Sequence, residues 1–278
     1  MAADLHIHTT ASDGSLSPAE VVEAALRAGL RAIAITDHDS VSGLGEAQSR
    51  AVGRLRVIPG VEINTDAKVD GDWVEVHILG YLIDPTAPMF EEELQQLRVL
   101  RFERARRIVE RLNALNLPVS FARVVEIAGT GPIGRPHVAQ AMVEAGLVGS
   151  VLQAFQLYLG VGRPAYVERY KLSPEDAIRL IHAAGGVAVL AHPGLIGDDS
   201  LIPALVAAGL DGLEVHYPEH GRHEVRRYAG LARRFGLVAT GGSDAHGPDF
   251  PGRAPIGAVR VPDGVIDELA ARRMAGCR

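Results

Sequence analysis

Short apolar runs rich in Val, Ile and Ala alternate along this chain with longer stretches of helical periodicity. Such alternation is the signature of an α/β architecture built on a largely parallel sheet. The predicted strands are Asp4–His8, Ala32–Asp37, Val57–Ile63, Val74–Gly80, Val187–His192, Gly212–His216 and Val238–Gly242. Seven of them predict a distorted seven-stranded (β/α)7 barrel. The link NTDAKVDGD between the third and fourth strands is too short for a crossover helix, so antiparallel pairing is a candidate there and the direction stays open.

Helix starts are marked clearly. SPAEVVEAALRAG offers Ser17 as a cap, Pro18 at the first helical position and Gly29 as the stop, and SPEDAIRLIHAAGG repeats the grammar with Ser173, Pro174 and Gly185. Between residues 84 and 170 the strand signal vanishes and helical periodicity takes over, which predicts a helical insertion, a cap on a barrel formed by residues 1–83 and 171–278. In its arginine-rich segment, Leu94, Leu97, Leu100, Ile108 and Leu112 define a packing face, and Arg98, Arg101, Arg104, Arg106 and Arg107 read as a solvated one.

Composition bounds the function. Hydrophobic residues make up 47% and charged residues 22%, the balance of a folded globular protein. A net charge of -6 excludes a broad basic surface for nucleic acid, so no stable nucleic-acid partner is expected and a polyanionic substrate would need a local cationic pocket. The lone Cys277 cannot form an internal disulfide, and neither a signal peptide nor a membrane span is discernible, so the cytoplasm is the expected compartment.

Nearly every predicted strand ends in a side chain able to bind metal. The first carries His6 and His8, the second Asp37 and His38, the third Glu62, the fourth His77, the fifth His192, the sixth His216, and GGSDAH after the seventh supplies Asp244 and His246. Residues two apart on a strand share a face, so His6 and His8 can converge on one ion. In parallel α/β folds the carboxyl ends of the strands form the ligand-binding mouth, which gathers these scattered residues. Imidazole and carboxylate without thiolate favour zinc, manganese or iron, and there are more candidates than one tetrahedral site can use. Two or more ions close together suit phosphate-ester hydrolysis. No Gly-x-Ser-x-Gly elbow or dinucleotide-binding fingerprint accompanies them.

The ordered set DLHIHTTASDG, ITDHD, GVEI, AHPG and GSDAH resembles the PHP (polymerase and histidinol phosphatase) superfamily of metal-dependent phosphoesterases. The helical insertion is similar to that of the branch containing nucleoside 3′,5′-bisphosphate phosphatases and 5′-to-3′ exoribonucleases. Carried over by position, the resemblance implies two or three divalent ions. A first would be held by His6, His8, Glu62 and Asp244, a second by Glu62, His77 and His192, and a third by Asp13, His38 and His246. Asp13 stands where some relatives carry histidine, which leaves the third position least defined.

Glu62 and Asp244 are therefore expected at the catalytic centre, with His216 as a proton donor or phosphate contact. Asp4 and Asp37 are expected to orient ligand imidazoles, although Asp37 also reads as a turn residue. Arg135 and Arg163, each in a Gly-Arg-Pro sequence, are expected to grip a non-reacting phosphate through their planar guanidinium forks, with His137 a further candidate. The plainer readings are a helix start for Arg135 and a loop ion pair for Arg163. The implied substrate is a nucleoside 3′,5′-bisphosphate or a short 5′-phosphorylated oligonucleotide. Histidinol phosphate phosphatase and a nucleic-acid-processing accessory module are the rival readings.

Overall fold

The computed structural model of the chain describes residues 2–129, 131–168, 170, 172–250 and 252–276, so Cys277 lies outside the described residues. The chain forms two compact units, Met1–Glu92 with Lys171–Arg278, and Glu93–Tyr170.

Among the described residues the first unit is built on one sheet of eight strands: β1 (Ala2–Asp4), β2 (Ala32–Ile35), β3 (Arg56–Val69), β4 (Asp72–Tyr81), β5 (Val187–Leu190), β6 (Gly212–His216), β7 (Val238–Gly241) and β8 (Val261–Pro262). Their order is β7-β6-β5-β4-β3-β2-β1-β8. Beyond β1 the chain reaches round to the end of β7. The Leu5 amide donates to the Gly241 carbonyl at 3.2 Å, the His8 amide donates to Ala245 at 3.0 Å, and Ile7 and Ala245 form a parallel bridge. These contacts nearly close the sheet into the expected α/β barrel.

The strand count corrects the expectation of seven. The additional β8 pairs antiparallel with β1 over two residues, too few to leave an apolar run in the sequence. The short link between β3 and β4 gives an antiparallel hairpin turned by Asp70 and Gly71, both at positive φ, and β4 also pairs antiparallel with β5. The remaining pairs, β1 with β2, β2 with β3, β5 with β6 and β6 with β7, are parallel. β1 stops at Asp4 rather than His8, and the Asp4 carboxylate accepts the His6 amide.

Alternation along β2 shows how the barrel is filled. Ala32 and Ala34 join one core cluster with Leu5, Leu79, Tyr81 and Val189, whereas Ile33 and Ile35 join a second with Val21, Val22, Leu44 and Ala47 from the helices Pro18–Arg27 and Leu44–Ala51. Each fully buried Val, Leu or Ile contributes roughly 1.5–3 kcal/mol by leaving water. The alternation slips beyond β1: Leu5 belongs to the first cluster but Ile7 to the second. Ser17 caps the helix Pro18–Arg27 in a reciprocal box with Glu20, and Ser173 caps Pro174–Ala183.

The unit Glu93–Tyr170 is helical. Its core gathers Ile108, Leu112, Val124, Val138, Met142 and Leu159. Leu94 and Leu97 are buried as their spacing predicts, but Leu100 is 40% exposed; Arg106 and Arg107 face water. Among the described residues no helix is long and apolar enough to cross a membrane.

Candidate metal centre

The segments just beyond β1, β2, β5 and β7, together with the middles of β3 and β4, deliver their imidazoles and carboxylates to one cluster. Glu62, on β3, lies at its middle: its Oε2 is 3.3 Å from His6 Nε2, 3.2 Å from His8 Nε2 and 3.1 Å from His38 Nδ1. Its Oε1 is 2.8 Å from His77 Nδ1 and 3.1 Å from His192 Nε2. Asp244 Oδ1 approaches His8 at 3.1 Å and His6 and His246 at 3.5 Å. Asp13 lies 3.4 Å from His246, 3.8 Å from His8 and 3.9 Å from His38. All nine residues singled out as ligands in the sequence are thus linked in one network. Three sets have ligand atoms within 4.8 Å of one another: His6, His8 and Asp244; His38, Glu62 and His77; and His8, Asp13, His38 and His246.

Local backbone structure aims these groups. His192 (φ 26°) and Asp244 (φ 50°) occupy the left-handed region, which costs a non-glycine residue roughly 1–2 kcal/mol and redirects each side chain at the strand end. Gly242 makes room for the approach of the GGSDAH loop, since a Cβ there would stand 2.4 Å from the His6 backbone nitrogen. His246 Nδ1 donates to the Asp244 carbonyl at 2.9 Å, which leaves Nε2 facing Asp13.

Behind His6 lies Glu214, fully buried on β6 and not singled out in the sequence. Its carboxylate accepts from His6 Nδ1 at 3.0 Å and from the His192 amide at 2.7 Å. Because a carboxylate only accepts, His6 carries a proton on Nδ1, which leaves Nε2 facing Glu62 and Asp244 as the atom available to a metal ion. Asp4 and Asp37 take a different role from the expected one. Asp4 accepts the amides of His6, Ser243 and Gly257, and Asp37 accepts the Thr9 amide and the hydroxyls of Thr9 and Ser12. Both pin the backbone of ligand-bearing loops instead of orienting an imidazole, because amides and hydroxyls surround them. Burial pushes the Asp4 carboxyl up to about 6, against the pull of those hydrogen bonds.

The electrostatics call for cations. Burial alone would lower His8, yet the close carboxylates of Asp244 and Glu62 outweigh it and push the imidazole up to about 10. His77 rises to about 9 against burial, through Glu62 and then Glu75. Burial, helped by the nearby charge of His8 and His77, takes His38 down to about 3 against the opposing pull of Glu62 and Asp13. Although burial favours their neutral forms, Glu62, Asp13 and Asp244 are held well below the usual carboxylate range by the surrounding imidazoles. His6 Nε2, both ring nitrogens of His8, Asp13 Oδ1 and His192 Nδ1 are buried without a hydrogen-bond partner. Burial would lower His6, yet Glu214, Glu62 and Asp244 hold it well above its ordinary value, so the carboxylates around its Nε2 call for positive charge, which a divalent cation supplies. The donor set therefore fits hard or borderline metal ions.

Comparison with known proteins agrees with this chemistry. The PHP domain pattern matches residues 4–124. A 3′,5′-nucleoside bisphosphate phosphatase of Chromobacterium violaceum is 37% identical over 257 residues, covering 90% of this chain and 89% of that protein. The chain belongs to the PHP family of metal-dependent phosphoesterases. The 5′-3′ exoribonuclease Rnm of Escherichia coli is 38% identical to this PHP enzyme over 253 residues, 88% of this chain and 85% of the relative. A crystal structure from Bifidobacterium adolescentis, assigned to the metal-dependent phosphoesterases, superposes with a TM-score of 0.88 at 33% identity, covering 97% of this chain and 96% of that one.

His216 closes β6 half-buried, and burial together with His220 holds its imidazole below the ordinary value. Its neighbour Tyr217 is the residue that reaches the cluster, donating its hydroxyl to Asp244 Oδ2 at 2.9 Å, and Arg253 donates to the same oxygen at 2.7 Å. Neither was singled out in the sequence. Arg135 opens the helix Arg135–Glu144 with its guanidinium carbon 5.5 Å from the Phe155 ring centroid and 6.0 Å from that of Tyr166. Arg163 is exposed in the loop after the helical turn Phe155–Leu159. His137 is buried, and its Nδ1 accepts the Gly134 amide at 2.9 Å, closing the start of the same helix. His220 is a packing residue, with Nε2 accepting the Gly194 amide and Nδ1 bonded to the Val215 carbonyl.

Proposed function

We propose that this PHP enzyme hydrolyses the 3′-phosphate of nucleoside 3′,5′-bisphosphates and, by cleaving the equivalent bond, shortens 5′-phosphorylated RNA one nucleotide at a time. The observation that carries the reading is the convergence of nine imidazoles and carboxylates in one network, with five of the imidazoles set directly around Glu62. The names of the two relatives describe these two activities. The two are one reaction in chemical terms. In both, water adds to the phosphorus borne on O3′ of a nucleotide with a 5′-phosphate, and the P–O3′ bond breaks. The RNA product then carries a new 5′-phosphate and is a substrate again.

In this reading His6, His8, Glu62 and Asp244 hold the first divalent ion, Glu62, His77 and His192 the second, and Asp13, His38 and His246 the third, with manganese, zinc or iron suited to the donors. Two or three such ions supply Lewis acidity to the phosphoryl oxygens and acidify water. Arg135 and Arg163 grip the 5′-phosphate through bidentate hydrogen bonds. His216 gives a hydrogen bond or proton to the departing O3′. The lone Cys277 and the net charge of -6 suit a cytoplasmic enzyme that takes small or short substrates without a stable nucleic-acid partner.

The test is phosphate release by the purified chain from a nucleoside 3′,5′-bisphosphate, the matching 3′-monophosphate and histidinol phosphate, with 5′-phosphorylated and 5′-hydroxyl RNA assayed beside them. The bisphosphate and the 5′-phosphorylated RNA are the expected preferred substrates. Equal turnover of the 3′-monophosphate would remove the arginine grip, faster turnover of histidinol phosphate would replace the substrate, and an inert isolated chain would favour an accessory module.

A further inference from the structure

The two oxygens of Asp244 face different surroundings. Oδ1 points into the imidazole cluster, 3.1 Å from His8 and 3.5 Å from His6. Oδ2 points away from it and accepts the Tyr217 hydroxyl at 2.9 Å and the Arg253 guanidinium at 2.7 Å. Tyr217 is buried, and its ring lies 5.4 Å from that of His192. Arg253 arrives from the loop after the GGSDAH segment, and its side chain is 43% exposed. Asp244 itself sits at φ 50°, in the left-handed region that a non-glycine residue adopts only when its surroundings hold it there. A carboxylate without such restraint rotates about its terminal torsion and can chelate an ion through both oxygens.

We infer that Tyr217 and Arg253 are positioning residues that occupy the outer oxygen of Asp244, so that Asp244 offers one oxygen, Oδ1, to the cation it shares with His6 and His8. The inference rests on the ligand assignment of the first ion given above. Two donors are needed because Oδ2, once turned from the cluster, would otherwise be a desolvated anionic acceptor. The Tyr217 hydroxyl satisfies it from the buried side and the Arg253 charge from the solvent side. The clamp fixes the carboxylate plane and thereby the affinity and coordination of that ion.

The experiment uses the full chain stripped of metal and titrated with cobalt(II) in competition with a chromophoric chelator, for wild type, Tyr217→Phe, Arg253→Met, Arg253→Lys and Asp244→Asn. Tyr217→Phe and Arg253→Met should each weaken one ion about 10- to 100-fold, in the range of orienting partners of metal ligands. Each should also shift the visible cobalt band and lower kcat with little change in KM for the ester. Arg253→Lys should restore part of the affinity, since an ammonium supplies the charge without the planar fork. Cooperative melting of the metal-free variants would separate lost binding from lost folding. Wild-type affinity and an unchanged cobalt band in both Tyr217→Phe and Arg253→Met, with Asp244→Asn defective, would overturn the clamp alone. A rise in KM without loss of metal affinity in Arg253→Met would also overturn it, making Arg253 a substrate contact. Wild-type affinity in Asp244→Asn would bring down the ligand assignment and the clamp with it.

Discussion

Glu214→Gln changes the metal centre without changing its shape. The wild-type carboxylate serves two donors, His6 Nδ1 at 3.0 Å and the His192 amide at 2.7 Å, in a fully buried position. Glutamine has the same outline but one acceptor and one donor group, so one of these contacts becomes N–H against N–H. A hydrogen bond to a charged group is worth about 1.5–3 kcal/mol, and the backbone amide of His192 cannot change its role. The conflict therefore falls on His6, whose ring relieves it by moving its proton to Nε2, where the lone pair would otherwise face Glu62 and Asp244. The expected result is a loss of affinity for one divalent ion of about 10- to 100-fold, equivalent to roughly 1.4–2.7 kcal/mol, with a matching fall in phosphoesterase activity at limiting metal and recovery at high metal. Chelator competition on the metal-stripped variant measures the first quantity and phosphate release across a metal titration the second. Wild-type affinity in a folded Glu214→Gln protein would refute the argument that the carboxylate fixes the His6 tautomer.

Three further outcomes follow from the same geometry. Gly242→Ala should displace the GGSDAH loop, because the new Cβ would meet the His6 backbone and Cβ at 2.4 Å; a loss of about 1–3 kcal/mol in denaturant unfolding together with weakened metal binding is expected, and a wild-type profile in both would contradict the close approach. Asp37→Ala strands the Thr9 amide and the Thr9 and Ser12 hydroxyls in a buried place, so the unfolding free energy should fall by roughly 1–3 kcal/mol or more, measured with metal absent to isolate the structural role. Exhaustive chelation should abolish phosphate release and added manganese, zinc or iron should restore it; hydrolysis undiminished by chelation would contradict the metal dependence.

Much of this architecture could be read from the residues because the relevant signals are local. The placing of His6, His8, Glu62, His77 and His192 within or just beyond strands follows from apolar runs, and barrel topology gathers those positions at a shared mouth, although β3 and β4 run on past Glu62 and His77. The hairpin of β3 and β4 was a candidate from the shortness of its link alone. What escaped depends on contacts far apart in sequence. β8 is two residues long and has meaning only against β1. Glu214 left one usable trace, a carboxylate inside the apolar strand GLEVH at the same parity as His216, since an unpaired acid has no place in a buried strand. Tyr217 and Arg253 left none, because their relation to Asp244 exists only once the loop has folded. For Asp4 and Asp37 the chemistry was legible but the partner was not: a buried carboxylate must accept hydrogen bonds, and only the folded chain shows that amides and hydroxyls supply them.

The seam of the barrel gives the metal centre a topological condition. Asp4 Oδ1 accepts the amide of Ser243, 239 positions away along the polypeptide, at the place where Leu5 meets Gly241. His6 and His8 lie on one side of that seam and Asp244 and His246 on the other, so no fragment lacking either stretch can assemble the full set of ligands. Joining such distant segments carries a large loop-closure cost and belongs to the slow events of folding. Hydrolytic competence is thereby tied to completion of the ring: a partly folded chain holds scattered histidines, and only the finished one holds a cage.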